Sequence, residues 1–272
     1  MEIEILGPVE IRMNGVSIVP SAGKPRQVLA LLAIRAGQIV PVTTLMEEVW
    51  GDDPPRSAIT TLQTYILQLR RRIASTLPAG HGETAKDVLS TRFGGYSIGV
   101  RPDVCDLQEF QRLSAQGMTA LDVGDARTAS ARLGQALSLW RGTALLDVPL
   151  GRVLEMETLG IHEARMRVLE QRIKADLRLG RHADLLAELR VLTTQHPLHE
   201  AFAGNLMLAF YRSGAVWRAL EVFQQLRRTL DDELGIVPSP RLRQLHQAIL
   251  VGDPALDVPE FTMDAPLSVA AA

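Results

Sequence analysis

The sequence predicts a mainly α protein with a small β component: an N-terminal winged helix-turn-helix followed by an all-α, tetratricopeptide-like repeat region. Three observations carry this expectation. Residues 1–100 combine short β-branched runs with three helix-length segments and close on a glycine hairpin. The third helical segment contains "TTLQTYILQLRRRIAS" (Thr60–Ser75), with one aliphatic side and one side of hydroxyl, amide and guanidinium groups. From Asp103 onward helical periodicity takes over, and glycines mark a recurring template.

Ile3–Leu6, Val9–Arg12 and Val16–Val19 read as strands, because β-branched residues alternate or cluster there between the turn dipeptides Gly7-Pro8 and Asn14-Gly15. Asn-Gly between apolar runs is a hairpin signal, since both central positions of that turn need positive φ. A helix is expected from about Pro25 to Ala36, with Val28, Leu29, Leu31, Leu32 and Ile34 as its apolar stripe and Gly37 as its stop. A second is expected from Thr43 to Trp50, where Thr44 and Glu47 have capping-box spacing. "GDDPP" breaks the chain, and the third helix spans Ser57–Ser75. "VLSTRFGGYSIGV" (Val88–Val100) reads as two strands around Phe93-Gly94-Gly95, a wing that follows the helix directly.

At 3.6 residues per turn, Ile59, Leu62, Ile66, Leu69 and Ile73 fall in one arc about 80° wide and face a core. The opposite arc carries Ser57, Thr60, Thr61, Thr64, Gln68, Arg71, Arg72 and Ser75, all hydrogen-bond donors, and no carboxylate. An ordinary solvated face mixes charge signs. The whole chain has a net charge of −2, yet residues 56–101 hold seven Lys/Arg against Glu83 and Asp87. A focused basic stretch on a helix that ends the order helix, helix, helix, hairpin suits a DNA major groove, where hydroxyls and Gln reach base edges or phosphates and Arg pairs with guanine. Thr60, Thr64, Gln68 and Arg71 are expected to read bases or phosphates. Arg72, Lys86 and Arg92 are expected to grip phosphate. Arg70 lies beside the apolar arc and is given a structural or phosphate role; Tyr65 borders the core and is given packing. A membrane-surface role is weak, because no Trp or Phe lines the apolar side.

In the helical region, Gly124, Gly180 and Gly214 are each followed by apolar residues at +5, +9 and +12. The last two glycines are 34 residues apart, the tetratricopeptide period, whereas the first pair is 56 apart, so a longer helix around Arg152–Leu179 is expected there. The domains are therefore expected at residues 1–100 and 103–250, with 251–272 as a disordered tail.

Several function classes drop out. The single Cys105 lacks a paired base and reads as a structural thiol. "HPLHE" (His196–Glu200) is not a zinc motif and reads as a turn between repeats. No phosphate-binding loop of the G-x-x-x-x-G-K-[ST] type occurs, and no acid–base cluster is evident. No secretory signal or bilayer-spanning run is seen. The expectation is a cytoplasmic, nucleoid-associated protein without catalytic residues, cofactor or metal.

"LGPVEI", "KPRQVLALL", "VWGDDPP", "LQTYILQLRRRI" and "TRFGGYSI" together resemble the OmpR-like winged-helix domain of the Streptomyces antibiotic regulatory protein family. "LWRGTALLDV", "LRLGRHADLLAEL", "HPLHEAF", "YRSGAVWRALEVF" and "LDDELGIVPSPRLRQLHQAIL" resemble that family's bacterial transcriptional activation domain. The resemblance covers about residues 1–250, and it is closer to the stand-alone pathway-specific activators than to members that continue into an NTPase module. The winged-helix pattern L-R-x-[KR]-[IL] sits on Leu69, Arg70, Arg72 and Ile73. The resemblance implies binding of double-stranded DNA at direct repeats near promoters by two protomers, recruitment of RNA polymerase holoenzyme with its sigma factor, and activation of an antibiotic or secondary-metabolite cluster. No receiver domain precedes the winged helix in this sequence, so control by aspartyl phosphorylation is not expected. The rival readings are a repeat-type interaction scaffold and a repressor that occludes a promoter.

Overall fold

The computed structural model describes residues 1–78, 84–99 and 105–257. It divides into two compact units, the first made of Met1–Ala115 with Gln135–Met166, the second of Gln116–Gly134 with Arg167 onward.

The first unit opens with an antiparallel meander of β1 (Glu2–Glu4), β2 (Glu10–Met13) and β3 (Val16–Ser17). Asn14 and Gly15 form its turn with φ of 52° and 78°, as the dipeptide signals. Helix α1 (Gly23–Ile34) buries every residue from Gln27 to Ala33. It is a central core helix, not a striped surface one. Two residues, β4 (Val40–Pro41), lead into α2 (Val42–Trp50), and α3 spans Ala58–Ala74. A single turn, α4 (Ala85–Val88), precedes the wing strands β5 (Leu89–Arg92) and β6 (Gly95–Ile98). The second sheet has the order β4-β6-β5. Val100, the expected end of the wing, lies outside the described residues.

One local expectation is corrected. The Thr44/Glu47 capping box does not form, because the N-cap of α2 lies three residues earlier than that pattern suggests. Pro41 is its N-cap, and the Val42 N–H donates to the Gly94 carbonyl in the wing turn at 3.0 Å. Strand β4 delivers that backbone donor to the wing, so the side-chain cap is not needed. A capping box does occur at α4, between Thr84 and Asp87. Its hydrogen bonds hold the exposed Asp87 carboxyl below the usual carboxylate range.

The winged helix is stitched to residues 105–157 by polar groups. The buried Asp106 carboxylate accepts the Ile5 and Leu6 N–H groups at 2.8 and 2.9 Å. Asp147 accepts the Val9 N–H at 2.7 Å and pairs with Arg26 at 3.1 Å. Arg35 clasps Glu157 through two nitrogens at 2.9 and 2.7 Å. Glu48, on α2 and only 2% exposed, accepts the N–H groups of Gly151 (2.6 Å) and Leu154 (2.8 Å) at the start of α7 (Arg152–Arg178). The compact unit thus takes in residues well past position 100.

Helices α5 (Asp106–Asp122), α6 (Ala126–Ser138) and the 27-residue α7 continue the chain, followed by α8 (His182–Gln195), α9 (Glu200–Arg212), α10 (Val216–Leu234) and α11 (Pro240–Val251). Gly124, Gly180 and Gly214 each join two helices with φ of 85°, 74° and 77°, a conformation that favours glycine. The residues at +5, +9 and +12 after each glycine are all buried. The long α7 accounts for the 56-residue gap. In the second unit α9 is buried from Phe202 to Phe210 between its neighbours. Asp176 gathers Ser130, Arg172 and Arg181 around one carboxylate, tying three segments together. His196 and His199 cap the ends of α8 and α9, a turn between helices as expected.

The expected disordered tail at 251–272 is corrected over its first part. Val251 ends α11, and Pro254–Asp257 form a 3-10 turn that buries Leu256. Arg212 holds the Leu256 carbonyl at 2.8 Å. Residues 258–272 lie outside the described part of the chain.

Candidate nucleic-acid interface

Helix α3 is amphipathic in the sense expected, with Ala58, Leu62, Ile66, Leu69 and Ile73 buried. Ile59 does not belong to that set. It is 55% exposed, and Ala58 takes its place, so the core arc is rotated by part of a turn. The outward side carries Ser57, Thr60, Gln63, Thr64, Gln68, Arg71, Arg72 and Ser75, all exposed, with Thr61 half-buried at its edge. Two members are not donors: Ala74 is exposed in the last turn, and the larger Leu67 is 48% exposed between Thr64 and Arg71.

The adjacent arginines differ in what they do. Arg70 turns to the wing. Its Nε and one terminal nitrogen donate to the Leu89 carbonyl at 2.9 and 2.8 Å, and that terminal nitrogen also reaches Thr91 Oγ1 at 2.9 Å. The guanidinium lies 6.0 Å from the Tyr96 ring. Arg70 therefore fixes β5 and β6 against α3. Arg71 and Arg72 are exposed in the last turn, where cations also complement the carbonyl end of the helix dipole. Neither has an acidic partner among the described residues, and the same holds for Lys86 on α4 and Arg92 at the end of β5. Arg92 is followed by Phe93, fully exposed at the tip of the wing.

The hydroxyls divide similarly. Thr64 Oγ1 donates to the Thr60 carbonyl at 2.9 Å, and Ser75 Oγ donates to the Arg72 carbonyl at 2.7 Å. Ser57 occupies the N-cap position but its hydroxyl caps nothing; its carbonyl accepts the Thr61 N–H at 2.9 Å. Thr64 is thus left to offer an oxygen lone pair and a methyl group, not a free O–H. Tyr65 packs on Trp50, ring centroids 6.3 Å apart and nearly parallel, so it is a packing residue.

Gln68, Arg71, Arg72 and Ser75 form one wall of a shallow concavity of about 490 Å³, and Pro20, Ser21, Ala22 and Pro25 form the other. The N-terminus of α1 borders it, with no side-chain cap and no acid in its first turn. Its amide N–H groups and positive dipole end, beside two guanidinium groups, suit a phosphate oxygen. Sequence reading missed this wall because Pro20–Pro25 meets α3 only in three dimensions. It missed Leu67 because it collected donors and passed over the large aliphatic residue between Thr64 and Arg71.

Elsewhere, burial pushes the Cys105 thiol up, away from the thiolate form that a nucleophile needs. Among the described residues no group of three His, Cys, Asp or Glu side chains could hold a metal ion. No helix among them is long and apolar enough to cross a membrane.

Comparison with known proteins assigns both halves. Residues 19–98 match the C-terminal domain of transcriptional regulatory proteins, and residues 105–250 match the bacterial transcriptional activator domain. The regulatory protein DnrI of Streptomyces peucetius is 52% identical over 257 residues, which cover 94% of each chain. The transcriptional regulator RedD of Streptomyces coelicolor is 38% identical over 259 residues, covering 95% of this chain and 73% of RedD. Among solved structures, Mycobacterium tuberculosis EmbR in complex with a low-affinity phosphopeptide superposes with a TM-score of 0.86 at 30% identity, over 95% of this chain and 68% of EmbR. A winged helix with an outward donor face, joined to a helical activator domain and shared with these regulators over nearly its whole length, defines the lineage: the chain belongs to the Streptomyces antibiotic regulatory protein family of DNA-binding transcriptional activators.

Proposed function

We propose that the chain is a cytoplasmic, nucleoid-associated activator of an antibiotic or secondary-metabolite gene cluster, and that α3 enters the major groove of promoter DNA at direct repeats. The observation that carries this reading is the outward side of α3. Its hydroxyl, amide and guanidinium groups are exposed and have no acidic partner among the described residues, while its aliphatic side is locked in the core. Thr60, Gln68 and Arg71 supply base-edge contacts, with Ser57 and Thr61 at the margins. Arg72, Lys86 and Arg92 contact phosphates on either side of the groove, and Arg70 orients the wing that carries Arg92.

Two protomers bind side by side on the repeats, and the helical region recruits RNA polymerase holoenzyme through its sigma factor. This arrangement follows the family pattern of a DNA-binding half joined to an activator half. Purified full-length protein is expected to retard a promoter fragment from its own cluster and to raise transcript yield from it with purified polymerase holoenzyme. Retardation without any rise in transcript would favour promoter occlusion. Absence of retardation would leave only a scaffold.

A further inference from the structure

The position of Leu67 on α3 specifies part of what the helix reads. Leu67 follows Thr64 by three residues and precedes Arg71 by four, so the three side chains neighbour one another along the outward ridge. It is 48% exposed there, a large aliphatic side chain among Gln63, Gln68 and Arg71, which are exposed donors. The Thr64 hydroxyl proton is already given to the Thr60 carbonyl, so Thr64 presents no donor beside it. The centre of the ridge is therefore an apolar spot between the hydroxyls of the first turns and the guanidinium of the last. In the major groove only one base carries an apolar group, the 5-methyl of thymine, and aliphatic contact is how side chains select it.

We propose that Leu67 is a specificity-determining residue that selects a thymine through its 5-methyl group. The inference rests on the reading of α3 as the major-groove helix. It adds a base that hydrogen bonding does not choose. Substitution of Leu67 leaves the fold intact, because the side chain is exposed and Ala is the better helix former.

The test uses full-length protein and a promoter fragment made with either thymidine or deoxyuridine, which differ only in the methyl group, followed by uracil at single thymine positions. Wild type is expected to bind about fourfold less tightly when the critical thymine loses its methyl, the scale of one buried methyl group. Leu67→Ala is expected to bind both fragments equally, at the level of wild type on the uracil fragment. Equal binding of both fragments by wild type overturns the proposal, as does a thymine preference that survives in Leu67→Ala. No retardation of either fragment by wild type overturns the major-groove reading itself and this inference with it.

Discussion

Arg70 and Arg71 are adjacent in sequence, and their alanine variants are expected to fail in opposite ways. Arg70 makes two hydrogen bonds to the Leu89 carbonyl and one to Thr91, all from a charged donor, and sits over Tyr96. Hydrogen bonds to charged groups contribute about 1.5–3 kcal/mol, and a partly exposed cation–π contact about 0.5–1 kcal/mol. The bonds share one side chain and are not additive, so Arg70→Ala is expected to cost about 2–3 kcal/mol of stability. For a chain of this size that is a fall in Tm of about 4–12 °C. Arg71 has no acidic partner among the described residues and touches no core side, so Arg71→Ala is expected to leave stability within about 0.5 kcal/mol. It is expected instead to weaken DNA binding by about 1–3 kcal/mol, or about 5- to 150-fold. Thermal denaturation and gel retardation on the same preparations separate the two. The reasoning is refuted if Arg70→Ala weakens DNA binding as much as Arg71→Ala at unchanged Tm, because Arg70 would then be a contact residue and not the brace of the wing.

Three further outcomes are expected. Arg92→Ala should lower the slope of log affinity against log salt by about one unit without changing base preference, as loss of one phosphate contact does; an unchanged slope in a salt titration removes Arg92 from the interface. Gly95→Ala should destabilise the wing by about 1–3 kcal/mol, because an added Cβ would overlap the Val40 carbonyl oxygen where β6 pairs with β4; a variant as stable as wild type in urea refutes that close approach. Burial is the larger influence on Glu48 and raises its proton affinity against the opposing hydrogen bonds from Leu154, Gly151, Gln27 and Val153. The folded state then binds this proton more tightly than the unfolded state, so the contribution of Glu48 falls as pH rises from the ordinary glutamate value through the raised one and is flat above it. The Tm difference between wild type and Glu48→Gln should shrink over that interval, and a difference that grows with pH would mean that the hydrogen bonds outweigh burial.

Much of the fold was legible because it rests on local rules. Asn14-Gly15 can hardly do other than turn, and Gly124, Gly180 and Gly214 mark helix ends by the conformation they alone adopt easily. The residues after each glycine are buried because one helix face repeats every turn. What was hidden depends on distant partners. Strand β4 is two residues long and carries no periodic signal; it exists because β6 comes alongside, and by doing so it shifts the start of α2 and removes the need for a cap at Thr44. Ile59 lies at the edge of the core arc, where tertiary packing decides the side. Glu48, Asp106 and Asp147 look like surface carboxylates in sequence, yet they accept backbone N–H groups 100 to 138 residues away. No pattern reports such pairing in advance.

The donor side of α3 was legible for the same reason as the repeats, since helical spacing sorts side chains by face. The division of labour within it was not. Arg70 and Arg71 are alike as letters, and only the position of the Leu89 carbonyl separates the brace from a cation without an acidic partner among the described residues. Leu67 is a routine apolar residue until its neighbours are seen to be exposed.

The central claim is that the outward side of α3 chooses a DNA sequence. Selection of bound oligonucleotides from a random pool by full-length wild type and by Arg71→Ala tests it most directly. Wild type is expected to enrich a short motif, repeated at fixed spacing, and Arg71→Ala to lose its guanine preference at one position of each repeat while the others persist. A wild-type pool no different from the input, or an Arg71→Ala motif identical to that of wild type, would contradict it.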